Sequence, residues 1–306
     1  SLTVDNLVLA TNNTINAGTA DVQLTPRTVT HTIEYGDTDT ALGTDVYYDS
    51  AWAGITAGSF TVGDATHEGD ITITGVAGAP YTLSVVNGVG GAIDVTNDYT
   101  STGLDLTLNS GTGEVSIDTV TVDLGGGVLT VVDAVTLTGD AIIRADGGIA
   151  LQSTVTGTTP GADDLTLEAV GSDITVTGAV GATRLGAISV ANANNVSFNA
   201  GVTAASYTQS AGGGTTTFSG AQDYTGSFAF SGTNVNINGG MRTDAGGTVD
   251  IANSGVATIA DTTSDADSAT ADLDLGGAFS QTGGGTVSIA GDITTTADSI
   301  GFAQAV

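Results

Sequence analysis

Residues 173–199 read DITVTGAVGATRLGAISVANANNVSFN, and they contain the pattern that decides the fold. A triplet with apolar ends and a polar centre, Ile174-Thr-Val176, is followed by turns rich in Gly and Asn and by further triplets of the same kind. Equivalent triplets return after steps of 22, 20, 19, 22 and 30 residues. They are Ile174-Thr-Val176, Val196-Ser-Phe198, Thr216-Thr-Phe218, Val235-Asn-Ile237, Ala257-Thr-Ile259 and Val287-Ser-Ile289.

A period near 20 residues with three short strands per period predicts an all-β, parallel β-helix, because a unit this small buries its apolar side only by stacking on its neighbours. We expect about 20–22 residues and three short strands per coil. Parallel crossovers are right-handed, so the β-helix is predicted to be right-handed. In each triplet the apolar ends point inward and the middle residue points outward. The predicted inward residues include Val176, Val190, Val196, Phe198, Phe218, Phe230, Ile237, Ile251 and Ile259.

The pattern predicts one continuous β-helix over residues 1–306. Residues 1–75 are less regular and include an excursion at 37–54, and residues 261–275 form an acidic insert. The chain begins in a strand-like segment and stops at residues 300–306 without a capping unit. This favours two interpretations, an excerpt of a longer chain or a subunit that stacks end to end. The asparagines expected at corners or in stacked ladders are Asn192, Asn194, Asn234 and Asn236.

The composition excludes several classes of function. The chain has 33 Asp and Glu against 4 Lys and Arg, a net charge of −29, and such a polyanion repels nucleic acid. No stretch approaches the roughly 20 apolar residues of a membrane-spanning helix. The absence of cysteine excludes disulfide and thiolate chemistry. We expect an extracellular or bacterial cell-surface protein.

Several phrases resemble the repeats of filamentous-haemagglutinin-like bacterial exoproteins. The resemblance implies a right-handed parallel β-helix, secretion, and a role in adhesion or surface structure. An Asn-Pro-Asn-Leu-type motif, which marks the secretion domain of members exported with a partner protein, is not found, so the chain is not that domain. The phrases are Leu24-Thr-Pro26, Ile33-Glu-Tyr-Gly36, Ile55-Thr-Ala-Gly58, Phe60-Thr-Val-Gly63, residues 69–75, 277–283 and 287–295, and Ile300-Gly-Phe302.

Some β-helices are polysaccharide lyases or hydrolases, and such enzymes need a defined set of catalytic groups. A lyase needs a basic residue beside carboxylate-bound calcium. Arg144 lies about two turns from Arg184, which lies nearly three turns from Arg242, so no basic cluster is expected. The pair Asp163-Asp164 is either a hydrolase-like acid/base pair or a solvated turn, and we favour the turn. We therefore predict that the protein is not an enzyme.

Two further groups of residues are weighed against a structural role. His31 and His67 are the only histidines, and His67 adjoins Glu68 and Asp70; a metal or acid/base role competes with that of a turn histidine, which we favour. The only aromatic cluster is either a sugar-stacking patch or local packing, and we favour packing. It consists of Tyr47, Tyr48 and Trp52.

The acidic insert is the best candidate for a metal site, and calcium is the candidate ligand, because calcium takes six to eight oxygen ligands. The spacing matches neither an EF-hand loop nor the glycine-rich calcium nonapeptide, and a solvated loop is the alternative. No other cofactor is expected. The candidate ligands are Asp261, Asp265, Asp267, Asp272 and Asp274, with a weaker group at Asp37, Asp39, Asp45 and Asp49.

The sequence therefore predicts a non-enzymatic, adhesive or structural rod, a filament component of the cell surface or of a biofilm matrix. Self-association, end to end or lateral, is expected, and a glycan or protein of a host or matrix is the candidate partner. A calcium-dependent surface-layer or matrix protein and a carbohydrate-active β-helix are the alternatives.

Overall fold

The computed structural model describes residues 1–3, 14–36, 46–48, 55–244, 246–262 and 272–304. All regular structure in these ranges is β-strand. The strands form turns of a parallel β-solenoid, about 11 in total with three strands per turn, which confirms the predicted fold class. The chain divides into two compact units, Ser1–Ser153 and Thr154–Val306, which are called unit 1 and unit 2. One continuous β-helix over 1–306 stays a prediction.

From Ser59 onward, each turn places one strand on each of three faces, named face 1, face 2 and face 3 in chain order. In unit 1, face 1 contains β3, β7, β10, β13, β16 and β19, face 2 contains β4, β5, β8, β11, β14 and β17, and face 3 contains β9, β12, β15 and β18. The strands are β1 Leu2–Thr3, β2 Ile15–Asn16, β3 Val22–Thr25, β4 Ile33–Tyr35, β5 Val46–Tyr48, β6 Ile55–Thr56, β7 Ser59–Gly63, β8 Ile71–Ile73, β9 Val76–Ala79, β10 Thr82–Val86, β11 Ile93–Val95, β12 Tyr99–Ser101, β13 Leu106–Asn109, β14 Val115–Ile117, β15 Thr121–Asp123, β16 Val128–Val131, β17 Val135–Leu137, β18 Ala141–Arg144 and β19 Gly148–Leu151.

Unit 2 repeats this arrangement, with β22, β24, β26, β29, β32 and β35 on face 1. Two strands, β23 and β25, run without interruption from face 2 to face 3. The strands are β20 Val155–Gly157, β21 Leu165–Ala169, β22 Ile174–Val176, β23 Val180–Ala193, β24 Val196–Phe198, β25 Val202–Gln209, β26 Thr215–Phe218, β27 Gln222–Tyr224, β28 Phe228–Gly232, β29 Asn234–Ile237, β30 Met241–Thr243, β31 Val249–Asn253, β32 Val256–Ile259, β33 Leu273–Leu275, β34 Phe279–Gln281, β35 Thr286–Ile289, β36 Ile293–Thr295 and β37 Ile300–Phe302.

Rows of equivalent side chains form the core of each unit, because every strand pairs in parallel with its equivalent in the next turn. All nine predicted inward residues are buried, as the alternation of apolar and polar residues requires. In unit 2, the rings of Phe198 and Phe218 stack with centroids 5.3 Å apart, and Phe228 meets Phe218 edge-on at 5.5 Å. Core packing therefore fixes which strands lie opposite each other.

The corners between faces absorb differences in turn length. Hydrogen-bonded positions in successive turns are 19 residues apart at Thr215 and Asn234, and 23 apart at Asp98 and Thr121. A corner can also require glycine: Gly181 has a φ of +84°, and a Cβ there would collide with the carbonyl oxygen of Thr203. Where the chain carries insertions the step is longer, up to 38 residues between Asp21 and Ser59, so the observed range is wider than the predicted 20–22 residues.

Candidate functional site

The acidic insert is described only at its two ends. Asp265 and Asp267 lie outside the described residues, while Asp261 and Asp274 are exposed. Asp272 is buried: its Oδ1 accepts hydrogen bonds from the backbone N–H and the hydroxyl of Thr262, and its Oδ2 accepts one from the N–H of Asp292 at 3.0 Å. Burial raises the pKa of Asp272, but these hydrogen bonds outweigh it and the pKa is lowered. In the described part of the chain, no three acidic or histidine side chains group as metal ligands. Calcium binding by the insert stays a prediction.

The weaker acidic group and the aromatic cluster fall largely outside the described ranges. Asp37, Asp39, Asp45, Asp49 and Trp52 are not described. Tyr47 and Tyr48 belong to β5, which pairs with β4. Neither the metal nor the sugar-stacking hypothesis at 37–54 is tested.

Asp163 and Asp164 lie directly before β21, and the expectation of a solvated turn is wrong for Asp163, which is buried. Its Oδ2 accepts hydrogen bonds from the N–H groups of Thr158 at 2.6 Å and Thr159 at 2.9 Å, and so closes the preceding loop. Oδ1 of Asp164 accepts the N–H of Ala187, one turn away, at 2.6 Å. Both carboxylates thus stabilise the backbone.

Arg184 and Arg242 lie three turns apart, as predicted, but their side chains reach the same carboxylate, that of Asp223. Arg184 donates to Oδ2 of Asp223 at 2.7 Å and to the carbonyl of Ala204 at 2.8 Å. Arg242 donates to Oδ1 of Asp223 at 3.1 Å and to Asp244, whose carboxylate, with that of Asp223, raises the pKa of Arg242. Both reach Asp223 because successive turns are only about 5 Å apart, and Asp223 lies two turns from Arg184 and one turn from Arg242. The guanidinium groups are engaged in a bridge across successive turns, which suits stability rather than proton transfer.

A recurrent side-chain link joins the turns in both units, and sequence reasoning missed it. An Asp or Asn stands directly before the first inward residue of a strand, and its side-chain oxygen accepts the N–H of the equivalent residue one turn on, at 2.6–3.0 Å. The sequence carries a signal for this link, since each such Asp or Asn directly precedes an apolar–polar–apolar triplet or a similar strand. The pairs are Asp70 with Ala92, Asp98 with Thr121, Asp105 with Val128, Asp164 with Ala187, Asp173 with Asn195, Asn195 with Thr215, Asn234 with Val256 and Asp272 with Asp292.

On face 1 of unit 2 these links merge into a polar ladder. Oδ1 of Asp173 accepts from the side-chain amides of Asn194 and Asn195, each at 3.0 Å, and the pKa of Asp173 is lowered because these bonds outweigh its burial. Asn195 accepts the N–H of Thr215, whose hydroxyl oxygen accepts from the side-chain amide of Asn234 at 3.3 Å. The predicted ladder role is confirmed for Asn194 and Asn234.

The two histidines lie in consecutive turns of unit 1. His67 is 1% exposed, and neither of its ring nitrogens has a hydrogen-bond partner among the described residues. Nδ1 of His31 is likewise buried and unpartnered there. Burial lowers the pKa of His67 although Asp64, Asp70 and Glu68 favour the charged ring. The expected turn location is confirmed; the metal or acid/base alternative remains untested.

Comparison of the chain with protein-family models, curated proteins and solved structures gave no match. No helix long and apolar enough to cross a membrane occurs in the ranges that the structure describes. The fold and the arrangement of its polar groups are therefore the features that bear on function.

Proposed function

We propose that the protein is a non-enzymatic structural or adhesive element of the bacterial cell surface or extracellular matrix, and that it associates with further copies of itself. The β-solenoid fold is consistent with such a role. The observation that carries the proposal is the use of the polar side chains: the acidic and amide groups of Asp163, Asp164, Asp173 and Asn195, and the guanidinium of Arg184, all hold backbone or neighbouring turns together.

The same observation argues against catalysis. A general acid or base must reach the proton that it transfers in the bound substrate. Asp163 instead holds its own loop, and Arg184 donates to the carboxylate and backbone carbonyl of Asp223. We expect no turnover of acidic or neutral polysaccharides, with or without calcium. An activity that disappears in Asp163→Asn or Arg144→Ala, while the far-ultraviolet circular dichroism is retained, would contradict this expectation.

Self-association is supported by an exposed apolar side chain of β37 in unit 2. In unit 2, β35, β36 and β37 pair with β32, β33 and β34, and within the described residues each has this one partner. The apolar side chain of Ile300 is 44% exposed. The net charge of −29 opposes association unless salt screens it.

Sedimentation velocity from low to physiological salt, with electron microscopy of the same samples, tests self-association. We expect larger species as salt rises, and fewer of them in Ile300→Lys. Thr294→Lys on the outward side of β36 is the matched control for added positive charge. A monomer at every salt and protein concentration would contradict self-association and leave the non-enzymatic structural role to be judged by the activity assay. A response to calcium alone would favour the surface-layer alternative.

A further inference from the structure

The only two histidines of the chain meet at the same corner of unit 1, between faces 1 and 2. His31 belongs to segment 28–32, His67 to segment 64–70, and segment 87–92 follows in the next turn. The N–H groups of Glu68 and Gly69 donate to the carbonyl of Val29 at 2.8 and 3.2 Å. Those of Gly88 and Val89 donate to the carbonyl of His67 at 2.9 and 3.1 Å. His67 is therefore the middle member of three hydrogen-bonded corner segments.

The surroundings of His67 suit a neutral ring. An imidazolium carries two N–H donors, and a buried charge without acceptors is costly. The ring is buried and neither nitrogen meets an acceptor among the described residues. The buried ring is therefore neutral. A neutral ring leaves one N–H donor unpaired, whereas a charged ring would leave two unpaired and bury a charge as well.

The charged groups around His67 are fixed in other contacts. Oδ1 of Asp64 accepts the N–H and the hydroxyl of Thr66, both at 2.7 Å, and Oδ1 of Asp70 accepts the N–H of Ala92 at 2.9 Å. Together with Glu68, these carboxylates attract a proton to the ring, while His31 in the adjoining turn opposes it. Segment 87–92 contributes no charged side chain. Burial is the largest of these effects, so the balance favours the neutral ring.

We propose that His67 makes this corner of unit 1 an acid-responsive switch, in which protonation of the buried ring opens the stacked segments 28–32, 64–70 and 87–92. The sign follows from proton linkage. An unfolded histidine binds a proton below about pH 6.5, and the folded corner resists it. The stabilisation of the closed corner is complete above this pH and is lost as the pH falls. The opening constant rises by up to about 10-fold for each pH unit below 6.5 until the buried ring itself is protonated.

Nuclear magnetic resonance of the full chain tests the proposal directly, because two histidines give two sets of ring signals. His31→Gln assigns them and serves as the matched control, since it removes the neighbouring histidine but leaves His67. We expect the His67 signals to remain those of a single neutral tautomer to a pH below that at which an exposed histidine titrates. Titration of His67 at about pH 6.5 without any other change would refute the proposal.

Hydrogen exchange followed by mass spectrometry measures the opening itself. After correction for the intrinsic pH dependence of exchange, peptides covering 64–70 and 87–92 should open more in the wild type as the pH falls from 7.5 to 4.5. Peptides from unit 2 provide the internal reference. The extra opening should be absent from His67→Gln and His67→Leu and present in His31→Gln. If the histidine variants do not fold, the pH dependence of exchange and the His67 ring titration in the wild type still test the switch.

A transition metal is the other ligand that two imidazoles attract. Adding Zn²⁺ at pH 7.5 tests it. We expect unchanged ring signals and an unchanged melting temperature. A zinc-dependent rise in melting temperature that disappears in His67→Gln would assign the corner to metal binding and overturn the switch.

Discussion

Replacing Asp272 by alanine separates a structural role from a calcium ligand. The carboxylate of Asp272 joins both ends of the acidic insert to the next turn through three hydrogen bonds, two from Thr262 and one from Asp292. If this is its role, Asp272→Ala destabilises the corner whether or not calcium is present. If the residue binds calcium, the loss appears only in the presence of the ion.

The size of the loss follows from the contacts. A hydrogen bond to a charged group contributes about 1.5–3 kcal/mol when its partner is removed, but the three bonds share one carboxylate and are not additive. Thr262 and Asp292 are exposed, so water can replace the lost acceptor for their N–H groups. We expect a loss of about 2 kcal/mol for Asp272→Ala. Asp272→Asn should lose about half of this, because its amide group cannot accept hydrogen bonds from both Thr262 and Asp292.

The appropriate assay is native-state hydrogen exchange at the amide of Asp292, which donates one of these hydrogen bonds. Exchange reports local opening, whereas repeat arrays need not unfold in a single two-state transition. Asp274→Asn is the matched control: this residue is an exposed candidate ligand of the same insert, and its loss should change stability by less than about 0.5 kcal/mol. The contribution of Asp272 should also fade below about pH 3.9, because its pKa is lowered in the folded state. The structural role would be refuted if Asp272→Ala had the same amide protection as the wild type without calcium and lost only a protection that calcium adds.

Substitutions at four other residues test the packing and the links. Ile237→Asp should cost about 4 kcal/mol or more and Ile237→Val about 1 kcal/mol, as judged by urea denaturation; equal effects would contradict the burial of this side chain. Arg184→Met should cost about 1–3 kcal/mol because it leaves backbone carbonyls without their donor, whereas Arg242→Met, with a side chain 55% exposed, should cost less; the reverse order in thermal melts would argue against the bridge. Asn195→Ala should increase amide exchange at Thr215 by an amount equivalent to about 1–2 kcal/mol, and unchanged protection there would exclude a contribution from the link.

The strands and the core could be predicted from sequence because they obey a short-range rule. Inward positions alternate with outward ones within each triplet, so Phe198, Ile237 and Ile259 were assigned to the core without knowledge of their neighbours. The corners were less predictable. The local pattern does not show that Val180–Ala193 runs through a corner as one strand. The strand is continuous because it pairs with two different strands of the preceding turn, β20 and β21.

The polar contacts were the least predictable part. Whether Arg184 reaches Asp223 depends on how the chain crosses two corners, which spacing in sequence does not give. The burial of Asp163 and His67 likewise depends on segments stacked above and below them. The link formed by an Asp or Asn before a strand differs in kind: its sequence signal is local, and Asp173 and Asn195 could have been assigned once the triplets were aligned.

The variable spacing between stacked positions has an evolutionary consequence. Asn234 and Thr215 are 19 residues apart, whereas Ser59 and Asp21, also hydrogen-bonded, are 38 apart. Doubling the length of a connection raises its closure entropy cost by only about 0.6 kcal/mol. An insertion at a corner is therefore nearly neutral for folding, provided that the triplets on either side keep their partners. Mutation can then lengthen, shorten and diversify the corners, and so change the exposed surface, while selection on the strands stays unchanged.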